Sequence, residues 1–247
     1  MKVAKKRADE LLAASGLARS RSQAQALIMA GQVLADEKEV RKAGEMWPEG
    51  AVFSLKPRCR YVSRGGFKLE GALADLAVVP AGLTAVDIGA STGGFTDCLL
   101  QHGAARVTAV DVGRNLLDPS LINDERVTVR DGLNARVLAE ALSGHLFDLA
   151  VMDVSFISLA LILPQAARLV KPGGLMLAMV KPQFEVGRAQ VGKKGVVRDP
   201  EAIRGAVDKI SALGPSLTPP FEEAGRAPSR LTGPEGNQEV FLLFKPS

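Results

Sequence analysis

From about residue 84 onward the chain alternates short, almost unbroken apolar runs with amphipathic stretches. The runs at 84–88, 106–110, 126–130, 147–152, 173–180 and 239–244 predict strands, and 66–77, 94–102, 135–142, 158–169 and 200–212 predict helices. Regular β/α alternation of this kind predicts a mainly parallel sheet with helices on both faces. Residues 175–180 are apolar throughout, as a strand buried on both faces should be. The first part of the chain has a different rhythm. Helices are predicted at 7–16 and 20–31, each closed by a glycine (Gly16, Gly31), with Ser20 as an N-cap for the second. β-like pieces follow at 32–35 and 51–55, separated by the charged turn Asp36-Glu37-Lys38 and by Trp47-Pro48-Glu49-Gly50. The pattern therefore divides the chain into a small α+β unit at 1–55, a basic linker at 56–61 and an α/β domain at 62–247.

Charge sharpens that division. The 247 residues carry a net charge of +4, and the first 60 hold 12 Lys/Arg against 7 Asp/Glu, so the small unit carries the surplus. A compact basic segment beside a neutral one suits a polyanionic partner. Aromatics make up only 4% of the chain, which argues against a base-stacking platform. Cys59 and Cys98 lie far apart without metal-ligand spacing, so neither a disulfide framework nor a metal site is expected. No apolar run approaches the ~20 residues of a membrane span, and the start of the chain lacks a signal-peptide pattern. The expectation is a cytoplasmic monomer.

The candidate chemistry begins at residues 84–96, where the run Thr84-Ala85-Val86-Asp87-Ile88 leads through Gly89-Ala90-Ser91-Thr92-Gly93-Gly94 into Phe95-Thr96. A strand, a turn of small residues and a helix start let backbone amides approach a ligand. The spacing is neither G-x-G-x-x-G nor a P-loop, so dinucleotide and nucleoside-triphosphate readings lose support. Two further acids end the next two strands, Asp111 and Asp131; an acid so placed suits the paired hydroxyls of a ribose. One such acid is most often a cap or turn residue. Three at successive strand ends point to a ligand.

With two histidines outside any motif and no Gly-x-Ser-x-Gly, the reacting groups fall to lysines and carboxylates. Lys68 enters the helix before the first strand, Asp153 and Lys181 each end an apolar strand, and Glu239 opens the last one. Ligands of open α/β sheets bind beyond the carboxyl ends of the strands, so Asp153 and Lys181 should meet there. A lysine is ordinarily protonated near neutral pH, and burial beside a second cation is the usual route to a lysine base. The polar stretch 183–199, with Arg188, Lys193, Lys194 and Arg198, is a candidate lid or RNA contact beside the site.

Several of these strings resemble known families. Residues 7–36 resemble an S4 domain, a small RNA-binding module. The resemblance implies RNA contact by Arg7, Arg19, Arg21 and Lys6; Asp36-Glu37-Lys38 stands where that family often has Asn-Gly. The 84–96 string resembles motif I of S-adenosylmethionine-dependent methyltransferases, which implies cofactor contact by Asp87, Gly89, Ala90, Ser91, Gly93, Gly94, Phe95 and Asp153, with Asp111 on the ribose and Asp131 toward adenine. Lys68, Asp153, Lys181 and Glu239 resemble the Lys-Asp-Lys-Glu tetrad of FtsJ-like ribose 2′-O-methyltransferases. With VSRGGFKL, VKPQFEVGR and KKGVVRDP, the whole chain resembles the TlyA (hemolysin A) family of ribosomal RNA methyltransferases. That resemblance implies a Rossmann-like α/β methyltransferase domain, S-adenosyl-L-methionine as cofactor, ribosomal RNA or subunits as partner, cytidine as target, no membrane and no metal. Arg64, Arg188, Lys193 and Lys194 are added as RNA contacts of the second domain. In the tetrad reading Lys181 accepts the 2′-OH proton or stabilises the alkoxide, Lys68 is the second cation, and Asp153 and Glu239 hold the lysines. The competing readings are a membrane-active hemolysin, a non-catalytic RNA-binding assembly factor and a small-molecule methyltransferase. The first requires a spanning or strongly amphipathic cationic helix that the pattern does not show.

Overall fold

The computed structural model describes residues 4–29, 31–55 and 59–247; of these, Lys193 is described without its side chain. The chain separates into two compact units between Arg60 and Tyr61. Part of the predicted linker, 56–58, lies outside the described residues. Tyr61, at its end, is 1% exposed and packs edge-on against Phe67.

The first unit contains β1 (Lys5–Arg7), α1 (Ala8–Ala14), α2 (Arg21–Met29), β2 (Val33–Ala35), β3 (Lys38–Glu39), β4 (Met46–Pro48) and β5 (Phe53–Leu55). Its core is small: Leu12 and Ile28 meet Val33, Ala35 and Val40. Both helices are shorter than predicted, because Gly16 and Gly31 stand in turns beyond the last helical residues. The pairing of β1 with β4 was not foreseen: three residues of mixed polarity give no alternation to read. Asp36 and Glu37 both take positive φ, 45° and 63°, between the paired strands β2 and β3. That is the conformation a two-residue hairpin demands, so this turn keeps the Asn-Gly geometry with other residues. The Asp36 carboxylate meets part of the cost by accepting from Val52 N at 2.9 Å.

The second unit runs α3 (Arg64–Asp75), β6 (Thr84–Ile88), α4 (Gly94–Gln101), β7 (Arg106–Asp111), α5 (Pro119–Ile122), β8 (Val127–Asp131), α6 (Leu138–Ala141), β9 (Phe147–Met152), α7 (Leu163–Ala167), β10 (Val170–Val180), α8 (Pro182–Glu185), α9 (Pro200–Ser211), β11 (Phe221–Pro228) and β12 (Val240–Pro246). Seven strands form one sheet in the order β11-β12-β10-β9-β6-β7-β8. The five strands from β10 to β8 are parallel, and β12 and β11 are antiparallel. One face packs on α3 and α4 through Leu69, Leu73, Phe95 and Leu99, and the other on α6, α7 and α9 through Leu138, Leu163 and Ile210.

Three expectations need correction. β11 was missed: it is an edge strand whose burial alternates, with charges facing outward. The helix predicted at 135–142 is only Leu138–Ala141 after a 3-10 turn, and the one at 158–169 divides likewise into a 3-10 turn and α7. Glu239 does not open the last strand but immediately precedes Val240.

Candidate active site

The strand order reverses direction at β6: β7 and β8 lie on one side of it, β9 and β10 on the other. A crevice forms at such a point beyond the strand ends. Gly89 sits there with φ +89°, and a Cβ at that position would lie 2.6 Å from the Asp153 carbonyl oxygen. Only glycine lets the turn after β6 approach the end of β9 this closely.

Two adjoining cavities open along this edge. The larger, about 520 Å³, has Asp111 and Asp153 in its wall together with the apolar Val112, Leu116, Leu133 and Ile157. The second, about 360 Å³, is lined by Arg64, Lys68, Ala90, Phe95, Asp153 and Lys181, among others. Gly89, Ser91, Asp153 and Ser155 line both. A third cavity of about 320 Å³ lies beyond Lys181, between Phe156, Phe184, Asn237 and Glu239.

The four tetrad residues come together as two ion pairs. Lys68, on the buried face of α3, donates to Glu239 Oε2; they are 7% and 1% exposed. Lys181, the residue after β10, places Nζ 2.6 Å from Asp153 Oδ1 and donates to Ser155 Oγ at 2.7 Å. Buried charges of this kind persist only when paired. Four elements distant in sequence are needed to gather them: the helix before the sheet, the ends of two central strands, and the residue just ahead of antiparallel β12.

The predicted cofactor residues divide. Gly89, Ala90, Ser91, Gly94, Phe95, Asp111 and Asp153 line the cavities. The oxygens of Asp111 also accept from Ser91 N at 2.8 Å and Gly113 N at 2.7 Å, which fixes the carboxylate at the cavity wall. Asp87 lines neither cavity. It is fully buried, accepts from Thr96 Oγ1 at 2.7 Å, and burial pushes its carboxyl up to about 7, the neighbouring Asp153 and Asp111 adding to the rise. Gly93 is likewise enclosed, packed under Leu117 and Leu121. Asp131, expected to face adenine, does not line either cavity: it accepts from Asn115 N at 2.7 Å, and the nearby wall is formed by Leu133, Asn134 and Ala135. The chain turns back at positive-φ Gly132, so the residues after the strand, rather than its last acid, reach the cleft.

Among the predicted RNA contacts, Arg64 lines the second cavity and donates to Thr232 O, and Arg188 and Lys194 are exposed. The side chain of Lys193 lies outside what the structure describes. In the first unit Arg19 is exposed, but Arg7 and Arg21 each place Nε 3.0 Å from an oxygen of Asp9, a fully buried acid that also accepts from Gln25. These arginines hold the unit together, a role the charge count does not reveal. Lys6 pairs with Glu49.

Sequence reasoning missed the segment after Asp153. Ser155 lines all three cavities, and Phe156 is 91% exposed at φ +64°, 5.3 Å from the Phe184 ring. The buried Glu185 ties this segment down by accepting from Ser158 Oγ at 2.6 Å and Leu159 N at 2.8 Å. Asn237, 1% exposed, joins the 186–198 stretch to the segment before β12: it accepts from Val197 N and donates to Gly195 O, both at 2.9 Å. A serine, a phenylalanine and an asparagine in loops carry no periodic signal. The exposed Phe156 also tempers the inference drawn from the low aromatic content.

Both units of the chain are similar to known proteins. Residues 61–245 match the FtsJ-like methyltransferase family and residues 6–52 the S4 domain. The chain is 44% identical to YqxC of Bacillus subtilis, provisionally named an rRNA methyltransferase, over 96% of this chain and 85% of that one. It is 42% identical to the 16S/23S rRNA (cytidine-2′-O)-methyltransferase TlyA of Mycobacterium tuberculosis, covering 97% and 89%. It is 36% identical to Hemolysin A of Brachyspira hyodysenteriae, covering 96% and 99%. Among solved structures, a Streptococcus thermophilus protein provisionally named a hemolysin superposes with a TM-score of 0.74 at 40% identity, covering 100% and 90%. Since the family match spans the whole second unit and the S4 match most of the first, the chain belongs to the FtsJ-like methyltransferase family and carries an S4 domain ahead of its catalytic unit.

Proposed function

We propose that this protein transfers a methyl group from S-adenosylmethionine to a ribose 2′-hydroxyl of ribosomal RNA, at a cytidine. The observation that carries this reading is the Lys181–Asp153–Ser155 cluster at the wall shared by two cavities, backed by the Lys68–Glu239 pair. The larger cavity fits the cofactor: about 520 Å³ suits a ligand of this size, Asp111 offers carboxylate oxygens to a ribose, and Val112, Leu116, Leu133 and Ile157 give apolar walls for a base. When bound, the sulfonium supplies an electrophilic methyl group.

The protein's own part is positioning and proton handling. An amine has few contacts to spare; with Asp153 and Ser155 fixing Lys181 Nζ, the remaining direction is left for the sugar oxygen. The new O–CH3 bond would form as the S–CH3 bond of the cofactor breaks and leaves a thioether, and Lys181 Nζ is the group placed to take the 2′-hydroxyl proton or to stabilise the alkoxide. Lys68 and Glu239 close the site behind it and keep it dry, and the fixed geometry supplies much of the rate. The S4 domain and the relatives' names support an RNA substrate, and a ribosomal substrate is consistent with a cytoplasmic enzyme. Among the described residues no helix is long and apolar enough to cross a membrane, and the hemolysin name of some relatives gains no support from that quarter.

The test is transfer from labelled cofactor to purified ribosomal subunits, with the modified ribose mapped. Lys181→Ala should lower turnover by about 10²-fold or more while cofactor affinity stays near that of the unaltered protein. Turnover at the unaltered rate would remove Lys181 from the mechanism.

A further inference from the structure

A fourth cavity, of about 410 Å³, lies along one face of the catalytic sheet, from the starts of β6 and β7 to Arg130 near the end of β8. Its walls come from five separate segments: the first residue of β6, strands β7 and β8, the 142–147 loop, and the start of β10. The basic side chains lining it are Arg106, Arg130 and Lys171, accompanied by the His145 imidazole and the hydroxyls of Thr108 and Thr128. No carboxylate lines it.

Three features set this groove apart from an ordinary solvated surface. Parallel sheets are normally covered on both faces, yet here the strand starts stand bare because the crossover helix α6 is only four residues long. In place of an apolar stripe, the uncovered face carries arginine and threonine: Thr108 and Thr128 are register partners, with Arg106 and Arg130 on the same face. Second, Arg126, Arg226 and Arg230 of the same unit are all held by acids, whereas no ion pair or hydrogen bond engages the Arg106 and Arg130 side chains among the described residues. Third, the acid that pairs with the lining residues Thr84 and Lys171 is already consumed. Asp148 accepts from Thr84 N at 2.8 Å, Thr84 Oγ1 at 2.7 Å and Lys171 at 2.9 Å, and these bonds hold its carboxyl down at about 2.

We propose that this groove is a second RNA contact, binding backbone phosphates of the substrate at a place remote from the methylated ribose. The inference rests on the RNA reading given above. Guanidinium and hydroxyl donors without a partnering acid are the groups that recognise phosphate oxygens. Arg106 and Arg130 start about 13 Å apart along the strands, taking ~3.3 Å per residue over the four-residue offset that the register gives. That separation, on an open face, suits successive phosphates of a polymer better than one small anion. Arg130 is the register partner of Val110 in the wall of the larger cavity, but β7, β6 and β9 separate β8 from β10 and Lys181, so the groove contributes to capture and orientation and leaves the chemical step alone.

The test is the double substitution Arg106→Gln/Arg130→Gln in the full chain. Both residues are exposed, so the fold and cofactor affinity should persist, and a cofactor titration confirms that they do. Binding to purified ribosomal subunits is then measured across a salt series. The slope of log Kd against log salt should become shallower by about 1.4 to 1.8, from ~0.7 to ~0.9 per lost phosphate contact, with turnover at saturating subunits unchanged. An unchanged slope in the double variant, with normal methylation by the unaltered protein, overturns the groove alone. An unaltered protein that methylates no ribosomal subunit overturns the functional reading and this proposal together. Inorganic phosphate or pyrophosphate that binds the unaltered protein but not the variant, with the RNA slope unmoved, would make this a site for a free anion and overturn the RNA contact.

Discussion

Glu239 is the residue whose role depends most on its partner. A buried carboxylate with its lysine is tolerated; without it, the charge is stranded, at a cost of about 3–5 kcal/mol. Glu239→Leu or Lys68→Met alone should therefore lower the thermal midpoint sharply, whereas the double substitution should recover most of the stability and none of the methyl transfer. Calorimetry beside an activity assay separates the two. Asp87 gives a prediction with a sign. Its carboxyl is raised to about 7 in the folded protein against about 3.9 unfolded, so the folded state binds the extra proton between those values. By linkage, stability is greatest below about pH 4 as far as this group is concerned, falls as pH rises toward 7, and levels off above it. Asp87→Asn should flatten the pH dependence of the unfolding free energy between pH 5 and 7; an unchanged slope there would show that the acid is ionised. Phe156 is different again. Being exposed, it can be replaced by alanine with little change in stability, and a loss of about 1–3 kcal/mol in RNA recognition, seen as a raised KM for subunits, would assign it a base-stacking role.

At the scale of elements, legibility followed burial. The central strands β6 and β9 and residues 175–180 of β10 were readable because each is an apolar run enclosed on both faces, and β7 through Val107, Ala109 and Val110; with them came the strand-end positions of Asp111, Asp153 and Lys181. β11 was not, since an edge strand shows the core only every other residue or so, and its glutamates and arginine disguise it. The same limit applies to the site. Residues that end a strand can be placed by counting, but Asp131 could not be distinguished from Asp111 without seeing the chain turn at Gly132. Ser155, Glu185 and Asn237 belong to loops held together by hydrogen bonds across some 26 to 42 residues, and no local pattern encodes those partners. Asn237→Ala leaves Val197 N and Gly195 O without partners inside the protein. It should cost about 1–3 kcal/mol and loosen the 186–198 segment, raising KM for RNA while cofactor affinity holds.

For the molecule as a whole, the division of labour expected from charge needs one refinement. Arg7 and Arg21 fasten the S4 domain through Asp9, so replacing Arg21 perturbs folding as well as any RNA contact. Arg19→Ala is the cleaner probe: the thermal midpoint should stay put while subunit binding weakens and its salt dependence flattens.

The clasp between Lys68 and Glu239 spans 171 positions of the sequence. While the polypeptide is still emerging during synthesis, the cofactor turn and Lys181 are already made, but the partner that neutralises Lys68 is not. In the tetrad reading competence thus arrives only after β12 has docked, so a nascent chain that has not yet passed Glu239 is not yet a methyltransferase.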